Sequence, residues 1–442
     1  LRIFKVRVVH YTSNRSLERL KKLQRSWCTQ SDVQDSVTHI LQEIRQNGEV
    51  ALLASTKKFD GVRLQSRQLV VSREEMKAGW EALTSKERQA IRHASRSIRD
   101  FHKESLPKSW SRKNKDGILV GEKFDPIERV GLYVPGGQVP LVSTVLMTAI
   151  PAQVAGVSQI VLCTPPQKDS SISNGLLAAF HYLGLSEVFR AGGAQAIAAM
   201  AYGTKSIQSV DFIAGPGNAY VMEAKRQIYG LVGVDLLPGP SEVMVIADEG
   251  ANPGNIAADL LSQAEHGTGK EKLYLTVPTL ELLAEVESAI AKQLPVRSHG
   301  EAIRTILKDR AVAIICPDLE QAAKCANLLA PEHLELQVEN QKINQLTRQI
   351  HTAGAILEGY HTPTVLGDFI GGPSHTLPTD GTGRFSGGLQ VSHFLRRTSR
   401  VRSNPAANKK VEPTVRAFAE MERLDGHHYS LHRRHSSSKT NG

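Results

Sequence analysis

Apolar residues follow two rhythms along this chain, and the alternation between them sets out most of the architecture. From residue 130, short β-type runs (130–134, 159–163, 187–190, 210–214) alternate with Ala-rich stretches at helical spacing (143–154, 173–183, 194–201). The alternation starts again at 243–247. A helix closing at Gln263 and His266 follows, then 272–277, a helix at 280–294, 311–316, a helix at 319–329 and Ala355-Ile356-Leu357. Strand–helix alternation across short Gly/Pro turns predicts parallel sheets, here two consecutive α/β units near 125–240 and 240–375. Residues 15–105 read as helical and charged, with 33–44 clearly amphipathic, and are expected to pack against one of these units. Phe59-Asp60-Gly61 reads as a turn, and the lysine-rich stretch 107–116 as a linker or exposed loop. After Arg396 the chain reads as loop-rich, with a last helix near 415–423. The expected divisions are 1–125, 126–238, 239–380, 381–428 and a disordered tail at 429–442.

Composition narrows the class. The 442 residues are too many for one domain of typical size, and 40% hydrophobic with 22% charged residues is ordinary for a soluble globular protein. No apolar run reaches the ~18–20 residues that span a bilayer. Cys28, Cys163, Cys316 and Cys325 are scattered, which fits a reducing compartment and argues against a disulfide framework. The net charge of +10 gathers at 15–25, 396–410 and 433–434, without zinc-finger spacing or an aromatic RNA-binding motif. Nucleic acid is therefore not an expected partner, and a basic binding or scaffold protein is the competing class. The first residues lack an apolar secretory segment, so a cytoplasmic protein is expected; an organelle address ahead of Leu1 stays open.

Three glycine turns fall at predicted strand ends: 131–137, Gly192-Gly193-Ala194-Gln195 and Gly215-Pro216-Gly217-Asn218. Open α/β sheets place ligands there, and free N–H groups at a helix start attract anions such as a pyrophosphate. The GxGxxG fingerprint is missing, and each turn alone reads equally as a tight connection. Gln263 and His266 lie at i and i+3, so their polar heads leave the last helical turn together, with Gly267 ending the helix. They offer half of a metal site or simply a polar turn. Asp368 in a glycine-rich loop with His375, and His427 after Glu422, read singly as a turn residue and a surface histidine. Gln263, His266, Asp368 and His427 together have plausible zinc chemistry, although glutamine is an unusual ligand. Glu332-His333 joins a carboxylate to a base titrating near neutrality. Adjacent side chains point apart, so the two would serve different steps. Ser241, in a rigid turn before a buried strand, can face a substrate or cap that turn.

Taken in order, these blocks resemble the histidinol dehydrogenase family. The resemblance rests on 131–137, 192–198, 215–218, Gly239-Pro240-Ser241-Glu242, Ser262-Gln263-Ala264-Glu265-His266, Ala330-Pro331-Glu332-His333 and His375-Thr376-Leu377-Pro378-Thr379. It implies an aldehyde-dehydrogenase-like α/β architecture, with two incomplete Rossmann-like units and small helical segments at both ends. It implies oxidation of L-histidinol through an aldehyde to L-histidine with two NAD, the last steps of histidine biosynthesis. Zinc would be held by Gln263, His266, Asp368 and His427 and would grip the substrate. His333 would be the general base, Glu332 would activate water, and Ser241 and Glu422 would touch substrate. Tyr133, Gln195 and Asn218 would line the NAD site. The resemblance further implies a homodimer whose C-terminal segment completes the neighbour's site.

The chain departs from the family pattern at Ser374, at Thr268-Gly269-Lys270-Glu271, at Leu329 and at Arg423. Every proposed ligand and catalytic residue is retained. An arginine beside the pocket suits an anionic substrate, so oxidation of another small polar alcohol, such as a sulfonated diol, is the alternative within the family.

Overall fold

The apolar runs become two parallel sheets in the computed structural model, which describes residues 7–11, 14–24, 31–136, 140–266 and 269–436. Residues 1–6, Cys28, Gly137, Gly267, Thr268 and the tail beyond Ser436 lie outside the described residues. The chain opens with β1 (Arg7–His10) and α1 (Asn14–Gln24). Helices α2 (Ser31–Ser55), α3 (Ser66–Leu69), α4 (Arg73–Ala82) and α5 (Ser85–Glu104) follow. Both α4 and α5 begin on a capping box, Ser72 with Glu75 and Thr84 with Glu87, which satisfies N–H groups the helix itself leaves free.

After the antiparallel strands β2 (Trp110–Lys113) and β3 (Leu119–Pro126) comes the first α/β unit. It runs β4 (Arg129–Tyr133), α6 (Val142–Ala155), β5 (Gln159–Thr164), α7 (Asn174–Tyr182), β6 (Glu187–Arg190), α8 (Gly193–Tyr202), β7 (Phe212–Ala214), α9 (Ala219–Ile228) and β8 (Gly233–Val234). Its sheet is ordered β6-β5-β4-β7-β8 and all its pairs are parallel. Counted from its own first strand this is 3-2-1-4-5, the Rossmann order short of its sixth strand.

The second unit runs β9 (Glu242–Ala247), α10 (Pro253–Ala264), β10 (Lys272–Val277), α11 (Leu280–Gln293), α12 (Gly300–Asp309), β11 (Ala311–Ile315), α13 (Leu319–Leu329), β12 (His333–Gln337), α14 (Asn340–Gln349), β13 (Ala355–Glu358) and α15 (Thr364–Phe369). Its sheet is β1-β11-β10-β9-β12-β13. Without β1, the order is again 3-2-1-4-5. The expectation of an α/β protein with two incomplete Rossmann-like units therefore holds. Strands β9, β10 and β12 are buried along their whole length, because helices cover both faces of the sheet.

Several sequence expectations need correction. The N-terminal segment is divided between the units: β1 pairs with β11 and α1 lies on α13, whereas α2 to α5 cover the first unit. The lysine-rich stretch is no linker, since residues 110–113 pair with β3. Residues 395–402 are no loop either. They form β14 (Leu395–Arg402), which pairs with β3 along its length, with Arg397 ion-paired to Glu122. The last predicted helix is the longer α16 (Pro405–Met421), and α17 (Asp425–Ser436) turns the first eight residues of the supposed disordered tail into helix. Histidines that contact α16 hold α17 in place, a periodicity hidden within a polar composition. No helix among the described residues is long and apolar enough to cross a membrane.

Candidate active site

The two units present opposite ends to one another. At the carboxyl end of the first sheet, Tyr133 closes β4, and the Gly193 N–H donates to its hydroxyl at 3.0 Å. Gln195, in the first turn of α8, is 2% exposed and donates through Nε2 to Asp60 at 3.3 Å. Burial pushes the Asp60 carboxyl up to about 6. Asn218 caps α9 by accepting from Tyr220 and Val221 N–H groups, so its Nδ2 is the part left for a ligand. Gly215, at φ 120°, lies so close to β4 that an added Cβ would be 2.1 Å from the Tyr133 carbonyl oxygen. Gly192 is required by packing as well, since its Cβ would be 2.5 Å from that of Pro165. Asp60, Gly136, Pro165 and Lys168 line an open cleft of about 440 Å³ on the β5 side of β4. The switch point, where a doubly wound sheet takes a dinucleotide, lies between β4 and β7, beside the Gly215 turn.

The amino end of the second sheet carries the titratable cluster. Ala330 ends α13 in a left-handed conformation (φ 47°), and Glu332 follows before β12 starts at His333. Because Glu332 precedes the strand, strand alternation does not separate the two side chains. Its Oε2 lies 3.7 Å from His333 Nδ1 and accepts the Glu242 N–H at 2.8 Å. The expectation that the two point apart gives way to a contiguous pair. On its other side, His333 Nε2 is 3.3 Å from Asp368 Oδ1. Burial raises Glu332 to about 8. Burial also disfavours the charged His333, but the Glu332 and Asp368 carboxylates outweigh it and lift His333 to about 9. Asp368 goes the other way: burial opposes its charge, yet His333, His375 and His266 around it hold it below the usual carboxylate range.

The same cluster carries metal-ligating atoms. His266 Nδ1 is 3.1 Å from the Gln263 carbonyl. A carbonyl only accepts, so Nδ1 carries the proton and Nε2 keeps the lone pair a metal needs. Gln263 is 2% exposed, and its amide Nε2 has no hydrogen-bond partner. That NH2 group has no lone pair to give, so a metal would be held through Oε1 of the same amide. With the ionised Asp368, these donors suit zinc.

One network ties together the elements that carry these groups. Glu335 of β12 accepts both the N–H and the hydroxyl of Thr364, at 2.7 and 2.6 Å, where α15 begins its course to Asp368. Gln337 of β12 donates to Asp259 of α10 at 2.7 Å, and α10 ends at the Gln263–His266 turn. Beneath Glu332, Lys272 bridges Glu242 and Asp380, and the Thr379 hydroxyl accepts from Gly239 N–H, fixing the turn that carries the partly buried Ser241.

Within one chain, Glu422 and His427 are not part of this cluster. Both are exposed, one at the end of α16 and the other in the first turn of α17. The only metal-type grouping of His, Cys, Asp and Glu among the described residues lies elsewhere, so His427 does not converge with His266 and Asp368. Conversely, the structure adds residues that pattern reading passed over. Asp60 looked like a turn, and it reaches Gln195 only through tertiary packing. His375 was noted in the sequence only as a loop imidazole. Its Nδ1 donates to the Asp368 carbonyl at 3.2 Å, so Nε2 accepts from Thr144 of α6 at 3.0 Å, joining the two units across the site.

Known proteins are similar to this chain along most of its length. The family model for histidinol dehydrogenase matches residues 23–435. A histidinol dehydrogenase of Thermosynechococcus vestitus is 44% identical over 406 residues, covering 91% of this chain and 92% of that protein. One from Geobacillus kaustophilus is 43% identical over 392 residues, covering 89% and 91%. The crystal structure of histidinol dehydrogenase from Elizabethkingia anophelis superposes with a TM-score of 0.93 at 33% identity, covering 98% of each chain.

Proposed function

The chain belongs to the histidinol dehydrogenase family, and from that premise we propose that it oxidises L-histidinol to L-histidine through the aldehyde, using NAD and zinc. The buried Glu332–His333–Asp368 cluster carries this reading, since it sets a base, a water-activating carboxyl and a metal ligand side by side. When bound, NAD would accept a hydride in each oxidation, and zinc held by Gln263, His266 and Asp368 would anchor the substrate's imidazole and amine. His333 takes the alcohol proton as the first hydride leaves carbon. Glu332 first and Asp368 second raise its proton affinity, so it serves as base once it has shed its own proton, toward alkaline pH. Glu332, once ionised, orients the water that adds to the aldehyde carbon and receives a proton from it before the second hydride leaves; its raised proton affinity places this step toward alkaline pH. Tyr133 and Gln195 shape the nucleotide crevice, Asn218 offers its Nδ2 there, and Ser241 faces the substrate beside Glu332.

His427 would complete the metal's ligand set, and Glu422 the substrate pocket, from a second copy of the chain. Phe418, Met421, Leu424 and Tyr429 support this, because they leave an apolar surface exposed around both residues.

The test is NADH formation by the purified protein. Two NADH per histidinol are expected. His333→Asn should abolish both steps, and Glu332→Gln should slow aldehyde oxidation more than alcohol oxidation. Turnover of a sulfonated diol without turnover of histidinol would move the protein to another branch of the family.

A further inference from the structure

Away from the active site, α16 and α17 fold back on each other around Arg423, which is left-handed at φ 58°. His428, His432 and His435 recur on α17 at i, i+4 and i+7, which puts them on one helical face. That face meets Glu412 of α16. Glu412 Oε1 lies 3.1 Å from His428 Nε2 and 2.7 Å from His432 Nδ1, and Oε2 lies 3.1 Å from His435 Nε2. The ligand atoms of Glu412, His432 and His435 all fall within 4.8 Å of one another.

The Glu412 and His435 side chains are only 14% and 10% exposed, so the cluster is partly shielded, whereas His432 is 47% exposed. We propose that Glu412, His428, His432 and His435 form a second metal site, for a divalent ion of the zinc class, which staples α17 to α16.

Three imidazoles and one carboxylate are the donor set that zinc and its neighbours prefer, at roughly 2.0–2.2 Å per ligand. At such lengths two ligand atoms stand about 3.4 Å apart, so those of Glu412, His432 and His435, now within 4.8 Å of one another, need to draw together by up to about 1.4 Å, and His428, outside that spacing, by more. Glu412 is already anionic, held below the usual carboxylate range first by the His432 hydrogen bond. The hydrogen bonds at His428 conflict without a metal. Arg416 Nε donates to His428 Nε2 at 3.3 Å, which requires a lone pair there, while the contact with Glu412 requires a proton on the same nitrogen. A cation resolves the conflict, because it takes lone pairs from the imidazole and the carboxylate alike. The half-exposed Arg416 guanidinium, 3.8 Å from Glu412, then swings toward solvent. The consequence for the enzyme lies next door. His427 immediately precedes the cluster, so the staple would fix the direction in which it is presented.

The experiment uses the untagged full-length protein, stripped of metal and titrated with Co²⁺, with bound metal counted after gel filtration and its visible bands recorded. The parent should bind two equivalents per chain, His432→Ala/His435→Ala one, and Asp368→Ala one. Glu412→Gln, which keeps size and removes charge, should weaken the same site that the histidine pair abolishes, with unchanged far-ultraviolet circular dichroism. Equal stoichiometry in the parent and the His432→Ala/His435→Ala protein overturns the proposal. If the parent binds a single equivalent, its loss in the histidine variant supports the α16–α17 site and counts against the active-site zinc, and its loss only in Asp368→Ala does the reverse.

Discussion

Lys225→Met tests how the nucleotide crevice is held. Lys225 and Asp235 form an ion pair in which both side chains are fully buried. Together they clasp both backbone groups of Gly215 in the glycine turn: Lys225 Nζ donates to the Gly215 carbonyl at 3.0 Å, and Asp235 accepts the Gly215 N–H at 2.8 Å. Methionine preserves the length and most of the volume of Lys225 but leaves the Asp235 charge unpaired in the interior. Breaking a buried pair from one side costs about 3–5 kcal/mol. Removing both charges with Lys225→Met/Asp235→Asn keeps the acceptor for the Gly215 N–H and should recover most of that loss. Urea unfolding followed by circular dichroism measures the stability, and NADH titration reports the turn. The single variant should bind NADH more weakly, because Gly215 is released from its seat against Tyr133. A Lys225→Met protein within about 1 kcal/mol of the parent, or a double variant less stable than the single one, would refute the reasoning.

Two further outcomes follow from groups around the site. Because Asp60 is raised from 3.8 to about 6, the folded state keeps its proton where the unfolded chain has lost it, so its contribution makes stability fall as pH rises from about 4 to 6. Asp60→Asn should flatten that part of the curve of urea midpoint against pH, and an unchanged slope would count against the assignment. Glu335→Ala removes both acceptor contacts to Thr364 and should lower zinc retention by about 10–100-fold at equal helicity, while Glu335→Gln, which keeps an acceptor oxygen, should retain the metal.

The two strand–helix series were legible because helices cover both faces of each sheet, which leaves near-continuous apolar runs such as Val243 to Ala247. The glycine turns were legible too, though for a mixed reason. Gly192 and Gly215 answer to Pro165 and Tyr133 pressing on them at least as much as to a ligand. Strand β1 was not placeable, since four residues carry no local clue to a partner some three hundred positions away. Helix α17 escaped notice because its organising contacts are polar. The helical spacing of Gln263 and His266 did show in the sequence. Asp60 and Thr144 did not, because each reaches the site through packing alone.

The same sheet order is used at opposite ends in the two units, and Asp248 gives the physical reason. In the second sheet, the carboxyl-end crevice lies between β9 and β12, where a dinucleotide would be expected. Asp248 occupies it, 3% exposed, accepting the Gly250 and Glu339 N–H groups, the Tyr360 hydroxyl and the Lys342 ammonium. Burial opposes its charge, but these donors outweigh burial and keep it ionised. The N–H groups that would cradle a phosphate are thus already satisfied by an internal anion, and an incoming pyrophosphate meets a like charge. The second unit is closed to nucleotide at that end. Its amino end is left to carry Glu332, His333 and the turn of α10, facing the crevice that the first unit keeps open.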